Sequence, residues 1–238
     1  MRVIGIIGGM GPEATVLLMN RIIALTPARD DSDHVPMIVD NNTAIPSRIA
    51  HLIEKTGIDP GPTIAGMAAK LERHGADFLA MPCNTAHSYA EAITGAVTIP
   101  FLDMVALTVE AVRRRHPGVA RVGLLGSPAI EITAIFDRAF AAAGIDVVYP
   151  PDRDALLGAI RAIKRGDQGA AATAPLRAAY AGLAEQGAGV AIVACSEFSL
   201  VADTLAGPLP VIDTVTILAE ACVAAAGPAT RPLAHAAG

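Results

Sequence analysis

The chain has no dense basic stripe, no apolar run of membrane-spanning length, no CxxC pair and no Cys/His spacing suited to a metal. Each absence excludes something. With a formal net charge of −5 and no basic patch, neither a nucleic acid nor an anionic membrane is expected as partner. Without a long apolar run no segment is expected to span a bilayer. The start, MRVIGIIGGMGPEAT, reaches Gly8-Gly9 too early for a secretory leader and has no cleavage site, so it reads as a buried strand and the protein as cytoplasmic. Three cysteines in 238 residues argue against a disulfide framework, and the missing ligand spacing against zinc. Charged residues are only 17% of the chain, and lysine occurs just at Lys55, Lys70 and Lys164.

What is present is apolar and periodic. Hydrophobic residues make up 53%, which indicates a compact globular protein. Short runs rich in Val and Ile predict strands at Val3–Ile7, Met37–Val39, Phe78–Met81, Arg121–Leu125, Val147–Tyr149 and Val190–Ala194, with shorter ones at Phe101–Leu102 and Val211–Ile212. Helical patterns cover Ala14–Leu25, Thr63–His74, Met104–Arg115, Ile130–Ala143 and Ala170–Gln186. Alternation of this kind gives an α/β fold with mainly parallel sheets flanked by helices. The arginines Arg113 to Arg115 read as favourable charge at a helix C-terminus. The small, polar tail from Gly227 reads as frayed.

The two halves repeat each other. VIGIIGGMG from Val3 returns as VGLLGSPA from Val122, and HGADFLAMPCNT as QGAGVAIVACSE, 112 positions on. IPFLDMVALTVEAV from Ile99 returns as LPVIDTVTILAEAC from Leu209, 110 positions on. A repeat of half the chain predicts two similar lobes facing across a cleft, a common ligand site.

Cys83 and Cys195 occupy equivalent places in the repeats, each directly after a buried strand and before a helical segment. In parallel sheets that edge binds ligands, and the nearby helix N-terminus favours a thiolate. Two sulfurs entering one cleft from opposite sides suit racemisation, in which one group takes the α-proton and another returns a proton to the other face. An unperturbed thiol has a pKa of about 8.5, so a modest shift makes one sulfur a base. A pair of ordinary buried cysteines at strand ends is the plainer reading, but it leaves their equivalence unexplained. Cys222, inside an apolar helix, reads as core.

Other residues could hold an amino acid. Backbone N–H groups of Gly8 to Gly11, among them Gly9 and Met10, and of Asn84-Thr85 and Ser196-Glu197 could bind a carboxylate as it gains charge. The hydroxyls of Thr85 and Ser196 could add hydrogen bonds or merely cap helices. Arg48, after the loop NNTAIP, and Lys164 lie 116 positions apart, close to the repeat offsets, so each half could supply one cation for a second carboxylate; a solvated helix end is the alternative for Lys164. His87 could tune Cys83 or touch ligand, or be an ordinary half-buried histidine. Glu197 could meet an ammonium group or cap its helix.

MRVIGIIGGMGPEAT, MPCNTAH and VACSEFSL resemble the signature segments of the aspartate/glutamate racemase superfamily, in its aspartate racemase branch, and the resemblance runs from Val3 to about Cys222. It implies two pseudo-symmetric α/β lobes with the last helix returning to the first, hence residues 1–98 plus 209–238 and residues 99–208. It implies catalysis by Cys83 and Cys195 without pyridoxal phosphate or metal, a cationic pair at Arg48 and Lys164, substrate contacts by Asn84 and Thr85, and a homodimer. Aspartate is then the expected substrate. Two departures, Pro46-Ser47-Arg48 for Pro-Asp-Arg and Cys195-Ser196-Glu197-Phe198-Ser199 for Cys-Thr-Glu-Ile-Pro, leave room for glutamate or a broader range. A decarboxylase or cis–trans isomerase of small diacids could use the same cleft, as could a non-catalytic binder of small acids. A nicotinamide-dependent oxidoreductase is a more distant alternative, because Gly9-Met10-Gly11-Pro12-Glu13-Ala14 fits G-x-G-x-x-A and Asp40 ends the second predicted strand.

Overall fold

The Val/Ile-rich runs pair as two parallel sheets, one per repeat. A computed structural model describes residues 1–227; the tail expected to fray lies almost wholly outside them. In the first lobe β1 (Ile4–Gly8), β2 (Met37–Asn41) and β3 (Phe78–Ala80) run in the order β2-β1-β3. In the second, β4 (Arg121–Gly126), β5 (Asp146–Val148), β6 (Val190–Ala194) and β7 (Val211–Asp213) run in the order β5-β4-β6-β7. The equivalent of β7 in the first lobe is a single parallel bridge from Phe101 to Leu79 rather than the expected strand Phe101–Leu102. Pro100 offers the ladder only its carbonyl, which accepts from the Leu79 N–H at 2.8 Å, and the chain leaves the sheet two residues later.

Helices cover both faces of each sheet: α1 (Pro12–Leu25), α2 (Gly61–Arg73), α3 (Ala90–Thr94) and α4 (Met104–Arg115), then α5 (Pro128–Thr133), α6 (Ile135–Ala141), α7 (Arg153–Lys164), α8 (Ala170–Glu185), α9 (Ser196–Ser199) and α10 (Thr214–Ala226). Covered faces explain the unbroken apolar runs. In β1, Ile4 and Ile6 join the core beneath α1 and α10, while Ile7 joins the one beneath α2. In β4, Leu125 faces α7 and α8, and Val122 and Leu124 face α4 and α6. On α7, Leu156, Ala159, Ile160 and Ile163 bury one stripe at helical spacing. No helix among the described residues is long and apolar enough to cross a membrane.

The helix expected over Ile130–Ala143 is broken into α5 and α6 at Ala134, whose φ of 50° is left-handed. Thr133 turns its hydroxyl back onto the carbonyls of Ala129 (2.8 Å) and Ile130 (3.1 Å), and the Arg138 guanidinium donates to the Thr133 carbonyl at 2.9 Å. Such back-bonding competes with the helical ladder and bends it. The break turns Phe136 and Phe140 inward, where both are fully buried.

The chain crosses between lobes at two equivalent aspartates. Asp103 caps α4 by accepting from the N–H groups of Val105 and Ala106, and Asp213 caps α10 by accepting from those of Val215 and Thr216. After the second crossing, Val215, Leu218, Ala219 and Cys222 of α10 pack into the first lobe against Leu18, Ile22 and Phe78. Cys222 is fully buried there, and burial pushes its thiol up to about 12. The expected boundaries at residues 98/99 and 208/209 lie a few residues before these two crossings. Phe101 belongs to the first sheet and β7 to the second, because pairing to β3 and β6 continues until each aspartate starts a helix. The part of the expected first lobe beyond residue 227 lies outside the described residues.

Asp213 does more than cap. Arg21 of α1 donates to its carboxylate at 2.7 Å and reaches the Ser199 carbonyl at 3.2 Å, tying α1, α9 and α10 together. Asp213→Ala should lower unfolding stability by about 2–3 kcal/mol, through the lost cap and a stranded half-buried arginine. Asp103→Ala, losing the cap alone, should cost about 1 kcal/mol. Urea denaturation of both variants checks this; equal losses would contradict it.

Candidate active site

The C-terminal edges of both sheets open onto one cavity of about 530 Å³. The first lobe contributes Gly9, Met10 and Gly11 after β1, Ile45, Arg48 and Ile49 after β2, and Cys83 and Thr85 after β3. The second contributes Ser127 after β4, Ile160 and Lys164 from α7, and Cys195, Glu197 and Leu200 after β6. Gly9 allows the first two loops to touch. Its φ is +93°, and a Cβ there would lie 2.1 Å from the Asn42 carbonyl oxygen. The Gly9 N–H donates to the Thr15 hydroxyl at 2.9 Å, which fixes this loop to the first turn of α1.

Cys83 is held from behind. Its carbonyl accepts from His87 Nδ1 at 2.9 Å, and His87 Nε2 accepts from the Met104 N–H at 3.0 Å. The Met104 bond requires Nε2 to be unprotonated, so the ring is neutral with its hydrogen on Nδ1. Burial pushes the pKa of His87 down, in keeping with that form. His87 thus clamps the cysteine loop to α4 and does not line the cavity. Ser199 holds the equivalent place in the second repeat, its backbone N–H donating to the Cys195 carbonyl at 3.1 Å.

Asn84 and Ser196 are also buried away from the cavity lining. Asn84 Nδ2 donates to the Thr214 hydroxyl at 3.0 Å, and that hydroxyl donates to the Val193 carbonyl at 3.0 Å. The residue after Cys83 is thereby linked to β6, the strand that ends just before Cys195. Of the residues singled out in the sequence, Gly9, Met10, Arg48, Cys83, Thr85, Lys164, Cys195 and Glu197 meet in the cavity, while Asn84, His87 and Ser196 stand behind its wall.

Glu197 neither caps its helix nor stands free. One of its carboxylate oxygens is bound by the Lys164 ammonium, and the other accepts from the Cys195 thiol at 3.1 Å. Burial pushes the Cys195 thiol well up, and the adjacent Glu197 charge and hydrogen bond push it further; Lys164 only partly offsets them. Burial disfavours the Lys164 ammonium, but Glu197 and the two cysteines raise its pKa overall. Arg48 carries one hydrogen bond among the described residues, from Nη1 to the Pro46 carbonyl at 3.1 Å, which leaves much of its guanidinium for a ligand. Ser127 escaped the sequence reading. Its signal was the repeat itself, since placing Ile4–Gly8 on Val122–Gly126 sets Ser127 on Gly9. Asp40, which a dinucleotide site would use, is taken by Lys70 at 3.2 Å.

Residues 7–222 match the family model described as Asp/Glu/Hydantoin racemase. The chain is 31% identical over 228 residues to the broad specificity amino-acid racemase RacX of Bacillus subtilis (strain 168), covering 92% of this chain and 96% of that protein. Its structure resembles the Picrophilus torridus aspartate racemase with a TM-score of 0.85 at 30% identity, covering 96% and 95% of the two chains. The fold is also that of glutamate racemase isoform RacE1 from Bacillus anthracis, with a TM-score of 0.68 at 17% identity, covering 94% and 81%. Two parallel sheets sharing one cleft agree with this match over nearly the whole chain: the protein belongs to the Asp/Glu/hydantoin racemase family and is an isomerase of the racemase type.

Proposed function

We propose that the protein is a cofactor-independent racemase of α-amino acids, with Cys83 and Cys195 as its acid–base pair and aspartate as its favoured substrate. The observation that carries this reading is that both sulfurs line one cavity, each after the equivalent strand of a different lobe. In the reaction one sulfur takes the α-proton and the other delivers a proton to the opposite face of the carbon. The negative charge that develops is drawn onto the α-carboxylate. In this reading the N-terminus of α1, which opens on the cleft at Gly11, and Thr85, which lines it, stabilise that charge. Arg48 binds the side-chain carboxylate.

A second reading, a broader substrate range, is favoured by the cavity. Its volume and its apolar residues Ile45, Ile49, Ile160 and Leu200 accommodate side chains larger than that of aspartate. Lys164 is already paired with Glu197, so Arg48 is the cation that distinguishes a dicarboxylic substrate.

Purified protein should interconvert L- and D-aspartate with no added cofactor, followed by optical rotation. Cys83→Ala and Cys195→Ala should each lower the rate by about 10²–10⁴-fold, the usual weight of a lost acid or base. Wild-type rates in both variants would rule the mechanism out. Arg48→Ala should lower kcat/KM for aspartate by about ten- to a hundredfold, as expected for a lost charged hydrogen bond, and leave alanine turnover nearly unchanged. An equal loss on both substrates would remove the role assigned to Arg48.

A further inference from the structure

The two repeats bring different neighbours to their sulfurs. Two residues after Cys83 stands Thr85; two residues after Cys195 stands Glu197. Glu197 is buried, and its carboxylate bridges the Lys164 ammonium and the Cys195 sulfur. A carboxylate paired with an ammonium is ionised, and its free oxygen can only accept. The hydrogen in the 3.1 Å contact must therefore be on Cys195. The Cys83 sulfur has no hydrogen-bond partner among the described residues. Access does not separate the two cysteines, which are 7% and 6% exposed.

We propose that Glu197, anchored by Lys164, is a positioning residue that holds Cys195 as the proton donor of the resting enzyme and leaves Cys83 to act first as the base. The inference rests on the two-cysteine reading above. It adds an order of events and accounts for the Lys164–Glu197 pair. The other charges around the site fit it. Arg48 and Glu13 face the cavity from the first lobe, and Arg21 of α1, the charged group reaching α9 from that side, is neutralised by Asp213 of α10. Lys164 is then the one cation against the Cys195–Glu197 pair among the described residues, and Glu197 already engages it.

In one turnover the Cys83 thiolate takes the α-hydrogen as a proton, and the C–H electron pair stays on the substrate as the carbanion. The Cys195 S–H gives its proton to the opposite face and becomes a thiolate. Cys83 then releases its proton to solvent and Cys195 regains one, which restores the starting state. The enantiomer whose α-hydrogen faces Cys83 is turned over directly; its mirror image requires the proton to be exchanged between the sulfurs first.

The test is alkylation of the full-length protein by iodoacetamide from about pH 6 to about pH 10, with Cys83 and Cys195 quantified separately by peptide mass spectrometry. In the wild type, the pH midpoint for Cys195 should lie above that for Cys83, and Cys83 should label roughly tenfold faster or more at neutral pH. Glu197→Gln keeps the shape and removes the charge. It should move the Cys195 midpoint down and leave that of Cys83 in place. Coincident wild-type profiles, a lower midpoint for Cys195, or a Cys195 profile unmoved in Glu197→Gln would overturn the proposal. The wild-type comparison stands even if the variant does not fold. Racemisation assays on the same samples and on the two cysteine variants separate the two claims. An active wild type with coincident profiles defeats only this inference, whereas wild-type rates in both Cys83→Ala and Cys195→Ala defeat the two-cysteine reading itself.

Discussion

Two loops from different sheets must keep a fixed separation if their sulfurs are to flank one carbon. A buried chain of hydrogen bonds supplies that constraint: Asn84, next to Cys83, donates to Thr214, and Thr214 donates to the carbonyl of Val193, two residues before Cys195. Thr214 is fully buried and Asn84 nearly so, and neither bond is exposed to competing water. The same threonine opens α10, the helix that returns to the first lobe after the second crossing. A movement of one cysteine loop against the other would therefore strand polar groups in the interior, at a cost of roughly 1–3 kcal/mol for each.

Around that link the repeats are alike in backbone and different in chemistry. Both sheets place their first strand between the second and third, and both chains cross lobes at an aspartate cap. Both cysteine carbonyls are held by the residue four positions on, His87 in one lobe and Ser199 in the other. The difference lies beside the sulfurs, where one lobe places a hydroxyl and the other a carboxylate tied to an ammonium. Equivalent placement brings both sulfurs to the same cavity, and their surroundings differ.

Much of the fold was legible because duplication shows twice what one segment shows weakly. The Val/Ile runs and their equivalent cysteines were sufficient to predict two α/β lobes and a shared cleft, and the described residues form both. The break at Ala134 was hidden, because the apolar spacing of Ile130, Phe136 and Phe140 suits one helix as well as two and a hydroxyl at Thr133 decides between them. The truncated fourth strand at Phe101 depended on where pairing stopped, which periodicity does not specify. In the site, strand ends located Cys83 and Cys195. The partners of Glu197 could not be read, since Lys164 is 33 residues away and meets it only when α7 docks on α9. His87 and Asn84 likewise turn inward to α4 and α10, contacts that exist only after the lobes exchange helices.

In the proposed reaction one sulfur removes the α-hydrogen and a different sulfur replaces it. L-aspartate carrying deuterium at Cα, incubated in ordinary water with wild-type protein and no added cofactor, tests this in the first turnovers. The D-aspartate formed should carry solvent hydrogen at Cα, while the L-aspartate still present keeps its deuterium. Deuterium retained in the D-product would mean that a single group carries the hydrogen from one face to the other, and would contradict a two-sulfur reaction.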